Sequence, residues 1–177
     1  VVTTIKANFK PNKIYTDITT RDNTKCPAVD VYIAGFPCQP FSTAGKQQGF
    51  TDAKGRGTIF FNVHNYIKTQ WPKVFILENV KGLVTMNGGK YLKQILHALR
   101  TIGQGYNQSL NSDNQGAYEV HWKVLNTRDS GIPQNRPRCY FVGIRRDTFN
   151  KTARGKPNPS SFSFPTDIPC PTIEEFL

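Results

Sequence analysis

No stretch of the sequence approaches the roughly 20 consecutive apolar residues needed to cross a bilayer. Every longer apolar run is broken by glycine, proline or charge, which excludes a membrane-spanning role. Cysteine is sparse. The 4 residues Cys26, Cys38, Cys139 and Cys170 stand far apart without Cys-x-x-Cys spacing, so neither a zinc site nor a disulfide scaffold is signalled and no metal is expected. Acidic residues are few, 12 against 23 Lys plus Arg, for a formal charge of +11. That excess argues for a polyanionic partner or an anionic surface. The opening Val1-Val2-Thr3-Thr4 carries no basic segment with an apolar run behind it, so an intracellular protein is expected. There is no internal repeat.

What is present is material for one core. The chain has 177 residues, 37% hydrophobic, with 12 Phe, 7 Tyr and 2 Trp, which fits a single ordinary domain rather than two complete ones. Val29 to Phe36 reads as a short apolar strand, and Gly35-Phe36-Pro37-Cys38-Gln39-Pro40 ends it abruptly. Residues 41–58 are polar, with glycines at 45, 49, 55 and 57, and predict a surface loop. Apolar residues at 59, 60, 63, 66 and 67 predict a helix over Ile59 to Gln70, stopped by Pro72. Val74-Phe75-Ile76-Leu77 predicts a buried strand. A second helical pattern follows in Tyr91, Leu92, Ile95, Leu96 and Leu99. After a polar loop over Gly103 to Gly116, strands are predicted around Val120 to Leu125 and over Cys139 to Ile144, with a turn at Gly131-Ile132-Pro133 between them. Strands alternating with helices predict an α/β sheet whose functional residues sit at the carboxyl ends of the strands.

Three features occupy such ends. Cys38 follows the first strand within Pro-Cys-Gln-Pro, placed like a nucleophile on a rigid turn; on the bare pattern, packing stands beside catalysis. Glu78 follows four apolar residues, where burial would raise its pKa and suit it to donate a proton; a surface or capping glutamate fits equally. Arg136 and Arg138 alternate, so an extended backbone sends both guanidiniums to one side. That arrangement suits a carboxylate, a phosphate or a developing anion, although a solvated basic face would look the same. Arg145, Arg146, Lys151, Arg154 and Lys156 form a further basic stretch, read as phosphate contacts or a solvated arm.

Gly35-Phe36-Pro37-Cys38-Gln39-Pro40-Phe41-Ser42, Glu78-Asn79-Val80 and Gln134-Asn135-Arg136-Pro137-Arg138 resemble, in order and separation, the signatures of the cytosine-C5 DNA methyltransferases. Gly45-Lys46-Gln47-Gln48-Gly49-Phe50 and Gly131-Ile132-Pro133-Gln134 extend the resemblance over almost the whole chain. It implies a Rossmann-like, S-adenosylmethionine-dependent methyltransferase fold, a three-layer α/β sandwich present in part. It implies that Cys38 attacks C6 of a flipped cytosine, that Glu78 contacts N3 and the amino group, and that Arg138 contacts O2 with Arg136 and Gln134 orienting the site. Gln39, Ser42, Asn79 and Gln134 are placed on the substrate side. For the cofactor, S-adenosyl-L-methionine, it places Asp17 at the adenine, Pro37 beside the sulfonium and Ile59 on the adenine's apolar side.

The same resemblance implies departures. An upstream Phe-x-Gly-x-Gly loop is absent, so half of the cofactor pocket is expected from elsewhere. Residues 1–150 are expected to form a partial catalytic domain, and residues 151–177 a basic Pro/Ser-rich linker leading toward a target-recognition region. Gly105 to Tyr118 reads as a local insertion. The expected partner is double-stranded DNA, with a complementing polypeptide if the enzyme is split. The expected setting is the cytoplasm or nucleoid of a bacterium, or a eukaryotic nucleus. A tRNA cytosine-C5 methyltransferase and a non-catalytic nucleic-acid-binding pseudoenzyme are the alternatives.

Overall fold

The structure is a computed structural model, and it describes residues 2–37, 58–104, 116–148 and 162–176. Cys38, Gln39 and Ser42, the loop that follows them, most of the expected insertion and the basic residues Lys151, Arg154 and Lys156 lie outside the described residues.

Four strands, β1 (Val31–Gly35), β2 (Val74–Val80), β3 (Tyr118–Asn126) and β4 (Pro137–Arg145), form one sheet in the order β1-β2-β4-β3. β1 and β2 run parallel, whereas β4 is inserted between β2 and β3 and is antiparallel to both. The parallel pair is joined by a crossover that contains α2 (Ile59–Gln70), as parallel neighbours require. β1 is shorter than its apolar run predicts. Val29 is exposed, Asp30 is tied to Lys73 at 2.8 Å, and Phe36 turns into the core.

α2 has the bounds its periodicity predicts, burying Phe60, Val63, Tyr66 and Ile67. It ends where Trp71, at φ 50 and ψ 53, donates its backbone N–H to Ile67 O at 3.0 Å; Pro72 cannot continue the helix. α3 (Gly82–Thr85) is one turn, and α4 (Lys90–Arg100) buries Leu92, Ile95, Leu96 and Leu99. The short helices α1 (Val2–Asn8), which buries no side chain, and α5 (Ile173–Phe176) lie toward the two ends.

α2 and α4 share one core with Phe75, Leu77, Tyr118 and Phe141 on a single face of the sheet. On the opposite face of β1, Val31 is 51% and Ile33 71% exposed. Two of the three layers are thus present among the described residues. β3 begins earlier than predicted because Tyr118 is fully buried and donates its hydroxyl to Pro72 O at 2.7 Å.

His64, on α2, donates from Nε2 to the Ala98 carbonyl at 3.1 Å; a carbonyl only accepts, so Nε2 carries the hydrogen. Burial lowers its pKa from the ordinary 6.5. An unfolded chain therefore binds this proton first as the pH drops, and the stability held above about pH 6.5 is lost on acidification. Melting at pH 7.5 and 5.5 should show a larger drop for the parent than for His64→Gln. Equal drops would remove His64 as the cause.

Candidate active site

The carboxyl ends of β1 and β2 meet in register, with Gly35 opposite Glu78. A Cβ on residue 35 would lie 3.2 Å from Glu78 Oε2, so glycine keeps room for that carboxylate. From the other side, Arg138 Nε meets Glu78 Oε1 at 2.9 Å, the two side chains being 21% and 32% exposed. Arg138 is opposite Val80 and Tyr140 opposite Glu78, which makes the ion pair a diagonal cross-strand contact. Glu78 is therefore held against a guanidinium rather than enclosed among apolar groups as its sequence context suggests. Arg138 also donates from Nη1 to Pro137 O at 2.9 Å. A carboxylate acceptor and guanidinium donors stand side by side, able to address a planar polar edge from two directions.

Arg136 does not join them. β4 starts at Pro137, so Arg136 lies before the strand; its side chain is exposed and its backbone N–H donates to Asn126 Oδ1 at 2.8 Å. Asn126 also donates from Nδ2 to Asn135 Oδ1 at 2.9 Å, and Thr127 Oγ1 donates to Gln134 O at 2.5 Å. Gln134 and Arg136 thus enter through their backbones. Asn126 and Thr127, absent from the sequence reading, fasten the approach to Arg138; their only signal was a pair of polar residues closing an apolar strand.

Asn79 differs from its expected place on the substrate side. It is fully buried, donating from Nδ2 to Phe36 O at 3.1 Å and accepting from Val80 N at 2.9 Å. It ties the strand end that precedes Pro37 and Cys38 to the strand end that carries Glu78. Phe36, buried, also packs its ring 5.5 Å from that of Phe60 in the first turn of α2, where Ile59 is half-buried against the core. Pro37 and Ile59 are positioned by that contact.

Asp17 is exposed, and its Oδ1 accepts from both the N–H and the hydroxyl of Thr19 at 2.7 Å. The Thr19 hydroxyl and then its N–H hold the carboxyl below its ordinary pKa. Oδ2 has no partner among the described residues, so a fixed carboxylate presents one open oxygen. That fits an exocyclic amine such as that of adenine, and a proline and an isoleucine at strand and helix ends fit the apolar remainder of an adenosylated cofactor.

Two other cysteines, Cys139 and Cys26, are withdrawn into the interior. Burial pushes the Cys139 thiol up to about 12, leaving it protonated at neutral pH. The buried Cys26 donates its thiol to Asp22 O at 3.4 Å. Arg145 and Arg146 are not a free phosphate-binding pair. Arg145 is bound to Asp147 at 2.7 Å and to the Trp71 carbonyl, and Arg146 donates to Gly116 O at 3.2 Å. Residues 162–176 meet the turn between β3 and β4, with Ile168 donating its N–H to Asp129 O at 2.8 Å. Among the described residues, no group of three His, Cys, Asp or Glu is placed to hold a metal, and no helix is long and apolar enough to cross a membrane.

A mixed sheet with its inserted antiparallel strand, flanking helices and a polar site at the strand ends defines a Rossmann-like S-adenosylmethionine-dependent methyltransferase fold. The fold is shared with the Entamoeba histolytica methyltransferase EhMeth, at a TM-score of 0.53 and 18% identity over 88% of this chain and 45% of that one. The C-5 cytosine-specific DNA methylase family matches residues 1–173, and the chain belongs to that family. It is 45% identical over 139 residues to the Type II methyltransferase M.NgoBI of Neisseria gonorrhoeae, across 78% of this chain and 38% of that protein. It is 40% identical over 167 residues to the Type II methyltransferase M1.ScrFI of Lactococcus lactis subsp. cremoris, across 94% and 37%. The chain thus spans well under half the length of either relative.

Proposed function

We propose that this chain is the central catalytic portion of a DNA cytosine-C5 methyltransferase. The observation that carries the reading is the Glu78–Arg138 pair, 2.9 Å apart, at the strand end joined through Asn79 to the turn that leads into Cys38. The family description, a DNA methylase, supports double-stranded DNA as the polymer rather than tRNA, and the Type II methyltransferases among the relatives support a place in restriction-modification. Residues 1–150 would form the catalytic unit and residues 151–177 the lead toward target recognition. The remainder of the cofactor pocket would come from further polypeptide, in the same chain or in a complementing one. An intracellular setting follows from the substrate.

In this reading the Cys38 thiolate forms a bond to C6 of the flipped cytosine, and the ring's electron density moves toward C5. Glu78 holds N3 and the exocyclic amino group, while Arg138 donates to O2, where negative charge develops. S-adenosyl-L-methionine, when bound, supplies an electrophilic methyl group. Asp17 and Ile59 would hold its adenine and Pro37 would border its sulfonium. Loss of the C5 proton to water or hydroxide lets the ring expel the Cys38 sulfur and regain aromaticity.

The test is covalent trapping on duplex oligonucleotides containing 5-fluorocytosine in the presence of S-adenosylmethionine, using this chain and a version extended at both ends, with folded RNA as control. A DNA adduct lost in Cys38→Ser, with noncovalent binding largely kept, is expected. Equal trapping by Cys38→Ser would remove the nucleophile assignment, and an adduct on RNA alone would redirect the enzyme to tRNA.

A further inference from the structure

The segment between α1 and β1 contains an arrangement that the reaction chemistry does not use. The Arg21 guanidinium lies over the Tyr66 ring at 4.7 Å and over the Tyr15 ring at 5.6 Å. Its Nε donates to Asn23 Oδ1 at 3.0 Å. Asn23, a buried polar residue, is itself fixed to α2: its Nδ2 donates to Asn65 Oδ1 at 2.7 Å, and Gln70 Nε2 donates to its carbonyl at 2.6 Å. Tyr66 is stacked on Tyr32 of β1 at 4.3 Å and donates its hydroxyl to Pro27 O at 3.1 Å. A single cation thereby joins residue 15, residue 21 and the middle of α2.

Because Tyr15 and Arg21 meet, the five residues between them are closed into a loop. Asp17 and Thr19 occupy that loop, and Ile18 between them packs toward the core. The loop's base is bolted to α2, the helix whose first residue is Ile59. The contact is an expensive way to fill space. Arg21 Nη2 and Tyr15 Oη are buried without a hydrogen-bond partner among the described residues, whereas an apolar side chain of similar length would avoid the desolvation of a charge. What the guanidinium adds is direction: two ring faces and one planar N–H bond fix where the loop leaves the helix.

We propose that Arg21 is a positioning residue for cofactor binding, holding the Asp17 loop against α2 so that the open Asp17 oxygen and Ile59 address the same adenine. This rests on the reading of Asp17 and Ile59 as adenine contacts.

The experiment uses the full reading frame and measures S-adenosylhomocysteine binding by calorimetry, with KM and kcat for S-adenosylmethionine and melting temperature alongside, in Arg21→Met, Arg21→Lys, Asp17→Ala and the double variant Arg21→Met/Asp17→Ala. Losing one well-placed hydrogen bond should weaken binding about three- to tenfold. Arg21→Met and Asp17→Ala should show that loss with KM raised and kcat kept, Arg21→Lys should recover part of it, and the double variant should be no weaker than Asp17→Ala alone. Arg21→Met binding like the parent while Asp17→Ala is weakened overturns the positioning role. Asp17→Ala binding like the parent overturns the adenine reading of Asp17, and the positioning role with it. Additive losses in the double variant also overturn the proposal, since Arg21 would then act elsewhere. If Arg21→Met melts far below the parent, Tyr15→Leu, which removes one ring of the contact, is read against the same criteria.

Discussion

Alanine at Gly143 is expected to destabilise the chain by about 1–3 kcal/mol or more, a large share of a typical domain's stability. Gly143 is in β4, opposite Phe75 of β2 and Val120 of β3. The Phe75 ring crosses directly over it: a Cβ there would lie 2.0 and 2.1 Å from two ring carbons. Phe75 is fully buried and packs 5.1 Å from the Tyr118 ring, so it has no empty space to enter. Tyr118 is in turn pinned through its hydroxyl to Pro72. The urea midpoint of Gly143→Ala should fall sharply, or the protein should fail to accumulate in soluble form. Phe75→Leu removes the ring, so the two substitutions together should cost less than the sum of each alone. An unchanged midpoint for Gly143→Ala would contradict the packing described.

The second large effect is expected at Asn79. Asn79→Ala removes the buried hydrogen bond to the Phe36 carbonyl and the part-buried one from the Val80 N–H, each at roughly 0.5–1.5 kcal/mol, and it releases the strand end that carries Pro37. Displacement of reacting groups by about 1 Å can lower a rate on the order of a hundredfold. Trapping of 5-fluorocytosine should therefore slow well beyond what the fall in melting temperature explains. Asn79→Asp separates the two parts. It keeps an acceptor for Val80 but sets a carboxylate oxygen against the Phe36 carbonyl, so its trapping should be no better than that of Asn79→Ala. Trapping at the parent rate by a folded Asn79→Ala would show that the link to Phe36 has no part in catalysis.

The elements that were legible in the sequence are those governed by local pattern. The apolar spacing of α2 and the proline after it set both of its ends, and the unbroken run before Glu78 marked β2. Contacts that depend on register were not legible from the residues themselves. Glu78 and Arg138 are 60 positions apart, and only the antiparallel insertion of β4 sets them diagonally across from each other. Resemblance to a family named both residues without giving that geometry. The burial of Asn79 was legible but not drawn. Strand parity sets it on the same face as Phe75 and Leu77, but a polar residue between catalytic signatures drew a substrate role. Arg136 was misplaced because alternation was extended across Pro137, before the ladder begins. Arg21 offered no signal, since its second aromatic partner, Tyr66, comes from a helix far along the chain.

The outer side of β1 bears on where the sheet can grow. Among the described residues β1 pairs only with β2, so a further strand of the enzyme can add to the other row of its peptide groups. Natural proteins blunt such strands with lysine, proline, bulges or a covering segment; Val31–Gly35 contains neither lysine nor proline, and Ile33 stands in solvent beside the open row. The strand has the features of one that accepts a neighbour rather than of a finished edge.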